Sequence, residues 1–267
     1  MNDYHLHTKL CKHAVGEMYE YIESAIEKGI KEICFTDHIP LPDGFDSKHR
    51  MQLKDMDIYL DWIESYKKKY KEISILIGVE ADYIEGYEDY LESFISKYPF
   101  DLVIMSVHFV KQWPQGQWVF SCNFPDKSIK QIYNDYFEAV LKGINTGFFD
   151  IVGHLDLIKK SNYPVLQTNS DDIDKILNRV FEKGMSIEVN TSGLHKPIKE
   201  IYPSFDILKK VIKKSIPISL ASDSHSPEYV GYKFNEVIES LLDFEGVKLA
   251  SYKKRHLTSY PLTQEYI

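Results

Sequence analysis

Ten histidines are spread along this 267-residue chain, and seven stand at or just beyond the ends of apolar, strand-like runs. His5 and His7 close the first run, and His13 comes soon after. His38 follows Asp37 at the end of the second. His108 follows Val107, His154 follows Gly153, and His225 ends the last run two residues beyond Asp223. Glu80 ends another run, where an ionised carboxylate after so many apolar residues is costly unless it is paired. Neutral imidazole and carboxylate are the ligands of catalytic divalent metals. Alone, each of these residues reads as a polar group at a solvated strand edge. Six strand ends carrying one ligand set point instead to a polynuclear metal centre, and so to hydrolysis.

Two of the spacings are informative. His5 and His7 are two residues apart, and so are Asp223 and His225. On a strand such pairs point to one side and can share an ion. Glu80 brings a carboxylate, which can bridge two metals where an imidazole cannot. Asp37 reads as a supporting partner of His38. The remaining histidines act as a control: His49 lies in a polar loop and His256 in a basic tail, and neither ends a strand. His195 lies in a loop that overhangs the expected mouth of the site. All three are left out of the ligand set.

The elements that must position these groups alternate. Strand patterns fall at residues 3–7, 32–36, 73–81, 102–107, 151–154, 186–190 and 217–222, apolar and often β-branched, as buried parallel strands are. Helical spacing recurs between them, in Met18, Ile22, Ala25 and Ile26 with Gly29 as the stop, and over residues 129–144. It recurs again over 173–181, with Ser170 as N-cap and Gly184 as stop, and over 205–212. Strands alternating with helices predict a parallel sheet with right-handed crossovers. An open sheet puts its site at one switch point, but here the ligands come from strands along the entire chain. Only a closed barrel gathers six strand ends at one mouth. The expectation is an α/β fold, a (β/α) barrel of about seven strands in one domain over residues 1–267, with the site at the C-terminal face. Long connections at 39–54, 109–126 and 193–202 leave that face and are expected to wall it.

Composition excludes some partners. The formal charge of −8 and pI near 5.7 argue against a nucleic acid held by its backbone. No apolar run reaches the ~20 residues a membrane span needs, and the start lacks a basic and apolar leader. Three scattered cysteines, Cys11, Cys34 and Cys122, suit a reducing compartment. The expectation is a soluble cytoplasmic protein.

The motifs resemble the polymerase-and-histidinol-phosphatase (PHP) superfamily along essentially the entire chain. They are His5-Leu6-His7-Thr8, Cys11-Lys12-His13-Ala14, Thr36-Asp37-His38-Ile39-Pro40, Gly78-Val79-Glu80-Ala81-Asp82-Tyr83, Ser106-Val107-His108-Phe109, Gly153-His154-Leu155-Asp156 and Ser222-Asp223-Ser224-His225. The Cys-x-His-Ala and Gly-x-Glu-x-Asp-Tyr elements, with Glu188-Val189-Asn190-Thr191-Ser192-Gly193, resemble its histidinol-phosphatase branch. The resemblance implies a distorted seven-stranded TIM-like barrel holding three divalent ions, Zn first and Mn or Fe as alternatives. It implies that His5, His7, Glu80 and Asp223 bind one ion, that Glu80 bridges to a second completed by His108 and His154, and that His13, His38 and His225 hold the third. The role of His13 comes from the resemblance alone.

The expected reaction is hydrolysis of a phosphate monoester, L-histidinol phosphate to L-histidinol and phosphate, within histidine biosynthesis. A hydroxide bridging two ions is the expected nucleophile, since bound metal lowers the pKa of water from about 15.7 to about 7. The leaving alkoxide needs a proton, for which Asp223 and a metal-bound water are both candidates. The chain has three arginines, Arg50, Arg179 and Arg255. Arg179 reads as a surface charge on an outer helix. Lys160, Lys196 and Arg255 are the expected phosphate cations, although a surface role is the default for any lysine here. His195 is a candidate substrate contact, and Glu17 a candidate for the amino or imidazole group of histidinol, although the ordinary reading of Glu17 is a favourable first-turn carboxylate. Trp113 and Trp118 flank the loop after His108, as a lid over an imidazole ring or as an oligomer contact. Two other readings stay open, a PHP-type phosphoesterase acting on nucleotides and a non-catalytic metal-binding barrel. The sequence leaves oligomeric state open.

Overall fold

The computed structural model describes residues 1–121, 123–161 and 170–264. Seven parallel strands follow one another in sequence and in space: β1 (Asn2–Leu6), β2 (Glu32–Phe35), β3 (Ser74–Asp82), β4 (Leu102–Ser106), β5 (Ile151–Val152), β6 (Ser186–Asn190) and β7 (Ile218–Ala221). All seven expected strands are present. Helices α1 (Met18–Glu27), α4 (Ile129–Thr146), α5 (Ser170–Lys183) and α6 (Phe205–Lys213) also match. Ser170 is the first residue of α5, and the residues before it lie outside the described ones. Three helices are additional, α2 (Met56–Lys69), α3 (Glu88–Lys97) and α7 (Phe234–Leu242). Each carries a short stripe at helical spacing, such as Phe234, Val237, Ile238 and Leu241. The C-terminal stretch, expected as a basic tail, is an antiparallel hairpin of β8 (Lys248–Lys253) and β9 (His256–Pro261).

Each strand sends alternate residues to opposite faces. Outward residues such as Ile33, Val79, Val103, Ile187 and Leu220 join the helices in the main core. Inward residues Tyr4, Cys34, Leu76, Leu102, Ile104 and Ile151 meet Tyr252 of β8 in a second apolar cluster that fills the N-terminal end of the interior. Further along the same strands the inward positions turn polar, as Glu80 and Asp82 on β3, Ser106 on β4, and Glu188 and Asn190 on β6.

The strands curl until β1 meets the chain just after β7. Leu6 and Ser224 form a parallel bridge, with His7 N donating to Ser224 O (2.9 Å) and Ser224 N to His5 O (3.2 Å). Asp3 adds a stitch, accepting from Ser222 N (2.9 Å), Ser222 Oγ (2.5 Å) and Gly231 N (2.9 Å). At the other end of the seam β8 inserts, pairing Leu249 with Ile218 of β7, and Ala250 O accepts from Asn2 Nδ2 (3.0 Å). The barrel is therefore distorted rather than regular. β1 carries a second distortion, a register shift between Asp3 and Leu6. A bulge resets strand parity, so Tyr4 packs in the interior cluster while the next residue, His5, also turns inward.

Candidate metal centre

The mouth of the barrel gathers all nine expected metal ligands. Glu80 is at its middle, 1% exposed and near the C-terminal end of β3. Its Oε2 lies 3.2 Å from His5 Nε2, 3.4 Å from His7 Nε2 and 2.9 Å from His38 Nδ1. Its Oε1 lies 3.1 Å from His154 Nε2 and 3.7 Å from His108 Nε2. Asp223 Oδ1 stands 3.8 Å from His5 Nε2 and 3.4 Å from His7 Nε2. Asp223 has φ 49°, a left-handed conformation strained for a residue with a Cβ, and the turn aims its carboxylate inward. Asn190 Nδ2 (3.3 Å) and Ser192 Oγ (3.1 Å) hold its other oxygen. The rings of His13 and His225 lie 4.5 Å apart, those of His13 and His38 5.5 Å and those of His38 and His225 6.4 Å.

These atoms are close, buried and mostly unsatisfied. His5 Nε2, both ring nitrogens of His7, His38 Nδ1, Glu80 Oε2, His154 Nδ1 and His225 Nε2 make no hydrogen bond. Buried polar atoms are rarely left so. The separations suit an ion. In a tetrahedral zinc site with bonds of about 2.0–2.1 Å, neighbouring ligand atoms sit about 3.3 Å apart. The Glu80, His5, His7 and Asp223 distances of 3.2–3.8 Å bracket that edge. Several overlapping triads could each hold a metal, among them His5, His7 and Asp223, and His7, His38 and His225.

Carboxylates and carbonyls behind the rings orient them. Glu188 Oε1 meets His5 Nδ1 at 3.0 Å, and Asp82 Oδ1 meets His108 Nδ1 at 2.9 Å. His13 Nδ1 lies 2.8 Å from Cys11 O, and His225 Nδ1 lies 3.1 Å from Asp223 O. Each contact takes one ring nitrogen and turns the other toward the centre. Asp37, expected beside His38, instead accepts from Thr8 N (2.6 Å) and Thr8 Oγ1 and stands 3.6 Å from His7 Nδ1. Consecutive residues on an extended chain point apart, which separates Asp37 from His38.

Electrostatics follow from that packing. Burial would raise the carboxyl of Glu80, but the facing imidazoles of His38 and His5 hold it well below the usual range. Asp223 is likewise held low against its burial, by His5 and His7. Burial opposes charge on His5, yet Glu188, Glu80 and Asp223 keep its proton affinity well above normal. Burial wins at His38, pushed down to about 3, with Glu80 opposing. Protons on His5 and His7 thus occupy positions where a cation would satisfy the same carboxylates, and metal binding would release them.

Above the ligands opens a cavity of about 580 Å³. Lys160, Lys196, His195, Trp118, Phe120 and Tyr229 are on its wall. His195 stacks on Tyr229 at 4.2 Å between ring centroids. Lys160 Nζ lies over the Phe120 ring at 3.7 Å, and burial, with Lys196 adding to it, pushes the Lys160 ammonium down to about 8. Trp118 packs edge-on against His108 at 4.6 Å. Trp113 does not face the mouth. It is buried, and its indole N–H donates to Asp135 Oδ2 (3.0 Å).

The structure does not bring Glu17 or Arg255 to the cavity. Glu17 opens α1 as half of a capping box and is salt-bridged to Lys9 at 2.7 Å, exposed to solvent. Arg255 sits in the β8–β9 turn, where Nε donates to Asp150 Oδ2 (2.7 Å) and Nη2 to Phe148 O. Asp150 directly precedes β5, so Arg255 lies at the opposite end of the barrel. Arg179 is a surface charge, bonded to Asn145 and Glu182. Lys159 is buried against Asp156 (3.0 Å) and Glu200 (2.8 Å).

Glu188 and His49 were not singled out as site residues in the sequence. Glu188 sits mid-strand in Ser186–Asn190, an isolated carboxylate among apolar residues, which is the signal that marked Glu80. Gly153 makes room for it: a Cβ there would meet Glu188 Oε2 at 2.9 Å and Ile104 Cγ2 at 2.7 Å. His49 lies in a polar loop that carries no such signal, yet its ring lines the cavity.

Residues 3–192 match the model of the PHP domain. The chain belongs to the PHP-domain family. A Deinococcus radiodurans relative named "Probable histidinol-phosphatase" is 33% identical over 249 residues, covering 91% of this chain and 94% of the relative. The histidinol-phosphatase of Bacillus subtilis is 29% identical over 262 residues, covering 89% of this chain and 98% of the relative. The histidinol phosphate phosphatase of Lactococcus lactis, solved with zinc, L-histidinol and phosphate, superposes with a TM-score of 0.78 at 22% identity, covering 96% of this chain and 98% of that one. The two chains share the barrel fold described above. No helix among the described residues is long and apolar enough to cross a membrane.

Proposed function

We propose that this PHP protein is a metal-dependent phosphomonoesterase that hydrolyses L-histidinol phosphate to L-histidinol and phosphate. One observation carries the reading. The two oxygens of a single buried carboxylate, Glu80, face two different sets of imidazoles: His5, His7 and His38, whose facing nitrogens lack hydrogen bonds, on one side, and His108 and His154 on the other. That is the arrangement of a bridged metal pair. Relatives named histidinol-phosphatase, and a structural neighbour holding zinc, histidinol and phosphate, support the substrate.

His5, His7, Glu80 and Asp223 would hold one ion. Glu80 with His108 and His154 would hold a second, and His13, His38 and His225 a third. Divalent ions held there would lower the pKa of water and offset negative charge on the phosphoryl group. Imidazole and carboxylate donors suit Zn, with Mn or Fe compatible. The residues supply the rest. Lys160 and Lys196 place two ammonium groups at the mouth, where phosphoryl oxygens carry negative charge. Asp223, fixed by Asn190 and Ser192 and held ionised, stands at the rim of the ligand set, where its carboxylate would take the proton given up by the attacking water and return it to the leaving alkoxide. Trp118, Phe120, His195 and Tyr229 form an aromatic wall of the size an imidazole ring stacks on. The free, buried thiols of Cys11 and Cys34 fit a reducing cytoplasm.

The test is phosphate release from histidinol phosphate by purified protein, alongside metal analysis. Turnover with two or more ions per chain is expected. A marked preference for nucleoside monophosphates would overturn the substrate assignment, and fewer than two ions in active enzyme would overturn the bridged pair.

A further inference from the structure

We infer that His49 recognises the organic half of the substrate, and that the buried Arg50 sets it for that task. His49 accepts a hydrogen bond from an N–H or O–H donor on the alcohol part of a phosphate monoester. The inference rests on the phosphomonoesterase reading above.

Arg50 comes from the long loop between β2 and α2, yet it is 1% exposed. A buried guanidinium is costly unless every donor is used. Here Nε and Nη2 donate to Asp46 Oδ2 (3.2 and 3.0 Å), Nη1 to Ile39 O (3.1 Å) and Nη2 also to Asp82 Oδ2 (2.9 Å). The two carboxylates each spend their other oxygen on a histidine. Asp82 Oδ1 accepts from His108 N and meets His108 Nδ1, both at 2.9 Å. Asp46 Oδ1 meets His49 Nδ1 at 2.6 Å. One arginine therefore orients an imidazole on the floor of the site and another at its rim.

The tautomer of His49 follows. An ionised carboxylate only accepts, so Nδ1 carries a hydrogen, and in the neutral ring Nε2 is left as the acceptor. The ring lines the cavity, 5.6 Å from His13 and 5.5 Å from Trp118, with 42% of the side chain exposed. A lone pair repels phosphoryl oxygens and attracts an N–H or O–H. His49 thus faces the alcohol half and not the phosphate. A loop that only covered the site would not need a buried cation to fix one rim side chain.

The experiment compares kcat/KM for histidinol phosphate, whose alcohol half bears donors, with p-nitrophenyl phosphate, whose alcohol half bears none. In His49→Ala the preference for histidinol phosphate should fall at least tenfold, mainly through KM. Arg50→Lys should lose the same preference and also release metal faster to a chelator, because His108 is freed too. A preference within twofold of wild type in His49→Ala overturns the inference. So does a tenfold weaker inhibition by inorganic phosphate, which would put His49 on the anion. If wild type does not turn over histidinol phosphate, the functional reading fails, and the same ratio with aminoethyl phosphate still decides the role of His49.

Discussion

At the N-terminal end of the strands the barrel interior is packed with Tyr4, Leu76, Leu102, Ile104, Ile151 and Tyr252. Toward the C-terminal ends of the strands it holds His5, Glu80, Ser106 and Glu188, with Asp223 just beyond β7. The backbone and its pairing are alike at both ends, and the hydrogen-bonding is not. The hydroxyl of Tyr252 donates to Asp150 O (2.9 Å) and meets Ser186 Oγ (2.8 Å), and Arg255 is spent on Asp150 and Phe148. The other end leaves seven buried ring and carboxylate atoms of expected ligands without hydrogen bonds. One end is built for stability. The other keeps its bonding capacity for something that binds.

That contrast can be tested from its largest expected effect downward. Glu80→Ala removes the carboxylate that faces both imidazole sets. Turnover should fall on the order of 10³-fold or more, with fewer ions retained, as read by phosphate release and atomic spectroscopy. A variant with near wild-type activity and full metal content would falsify the bridged pair. Ile104→Ala at the packed end should cost about 2–5 kcal/mol of unfolding free energy in urea. The fraction that remains folded should keep its turnover, so a matching loss of activity per folded molecule would blur the division between the ends.

A smaller effect concerns Lys160 at the mouth. Burial lowers its ammonium to about 8, so the folded protein gives up that charge where an unfolded lysine still holds it. Phosphate affinity should fall as pH rises from 7 to 9, by up to about tenfold. The sign for stability is the reverse. Between about pH 8 and 10 the unfolded chain binds the extra proton, so this group makes the fold relatively more stable as pH rises. Lys160→Arg, which stays charged, should flatten the dependence of inorganic phosphate inhibition; an unchanged slope assigns it to another group. The smallest effect is expected from Arg255→Ala. Its pair with Asp150 is partly exposed and screened, so about 1 kcal/mol of stability is at stake. kcat/KM should stay within twofold, and a large KM increase would bring Arg255 back to the substrate.

Eight of the nine expected ligands were legible because a strand end leaves few reasons for a histidine or carboxylate after an apolar run; His13, in the turn after Lys9–Cys11, was supplied by the family resemblance. The same rule would have found Glu188 inside β6. It could not find Arg50 or His49, which lie in a loop without periodicity and whose roles depend on what the loop folds against. Arg255 misled for a related reason: charge in a tail says nothing about which end of the barrel the tail reaches. The bulge in β1 was equally hidden, since no residue in Asn2–Leu6 marks a change of parity.

The sequence by itself determined the order of strands, the parallel α/β class and eight of the nine mouth residues, because these follow from local periodicity and from the cost of polar groups at apolar strand ends; His13 came from the family resemblance. Tertiary structure alone decided which carboxylate supports which ring, which cations reach the cavity and where β8 enters the seam. Those depend on contacts between residues far apart in the chain, such as Asp3 with Ser222 and Arg50 with Asp82, whose partners no local pattern names.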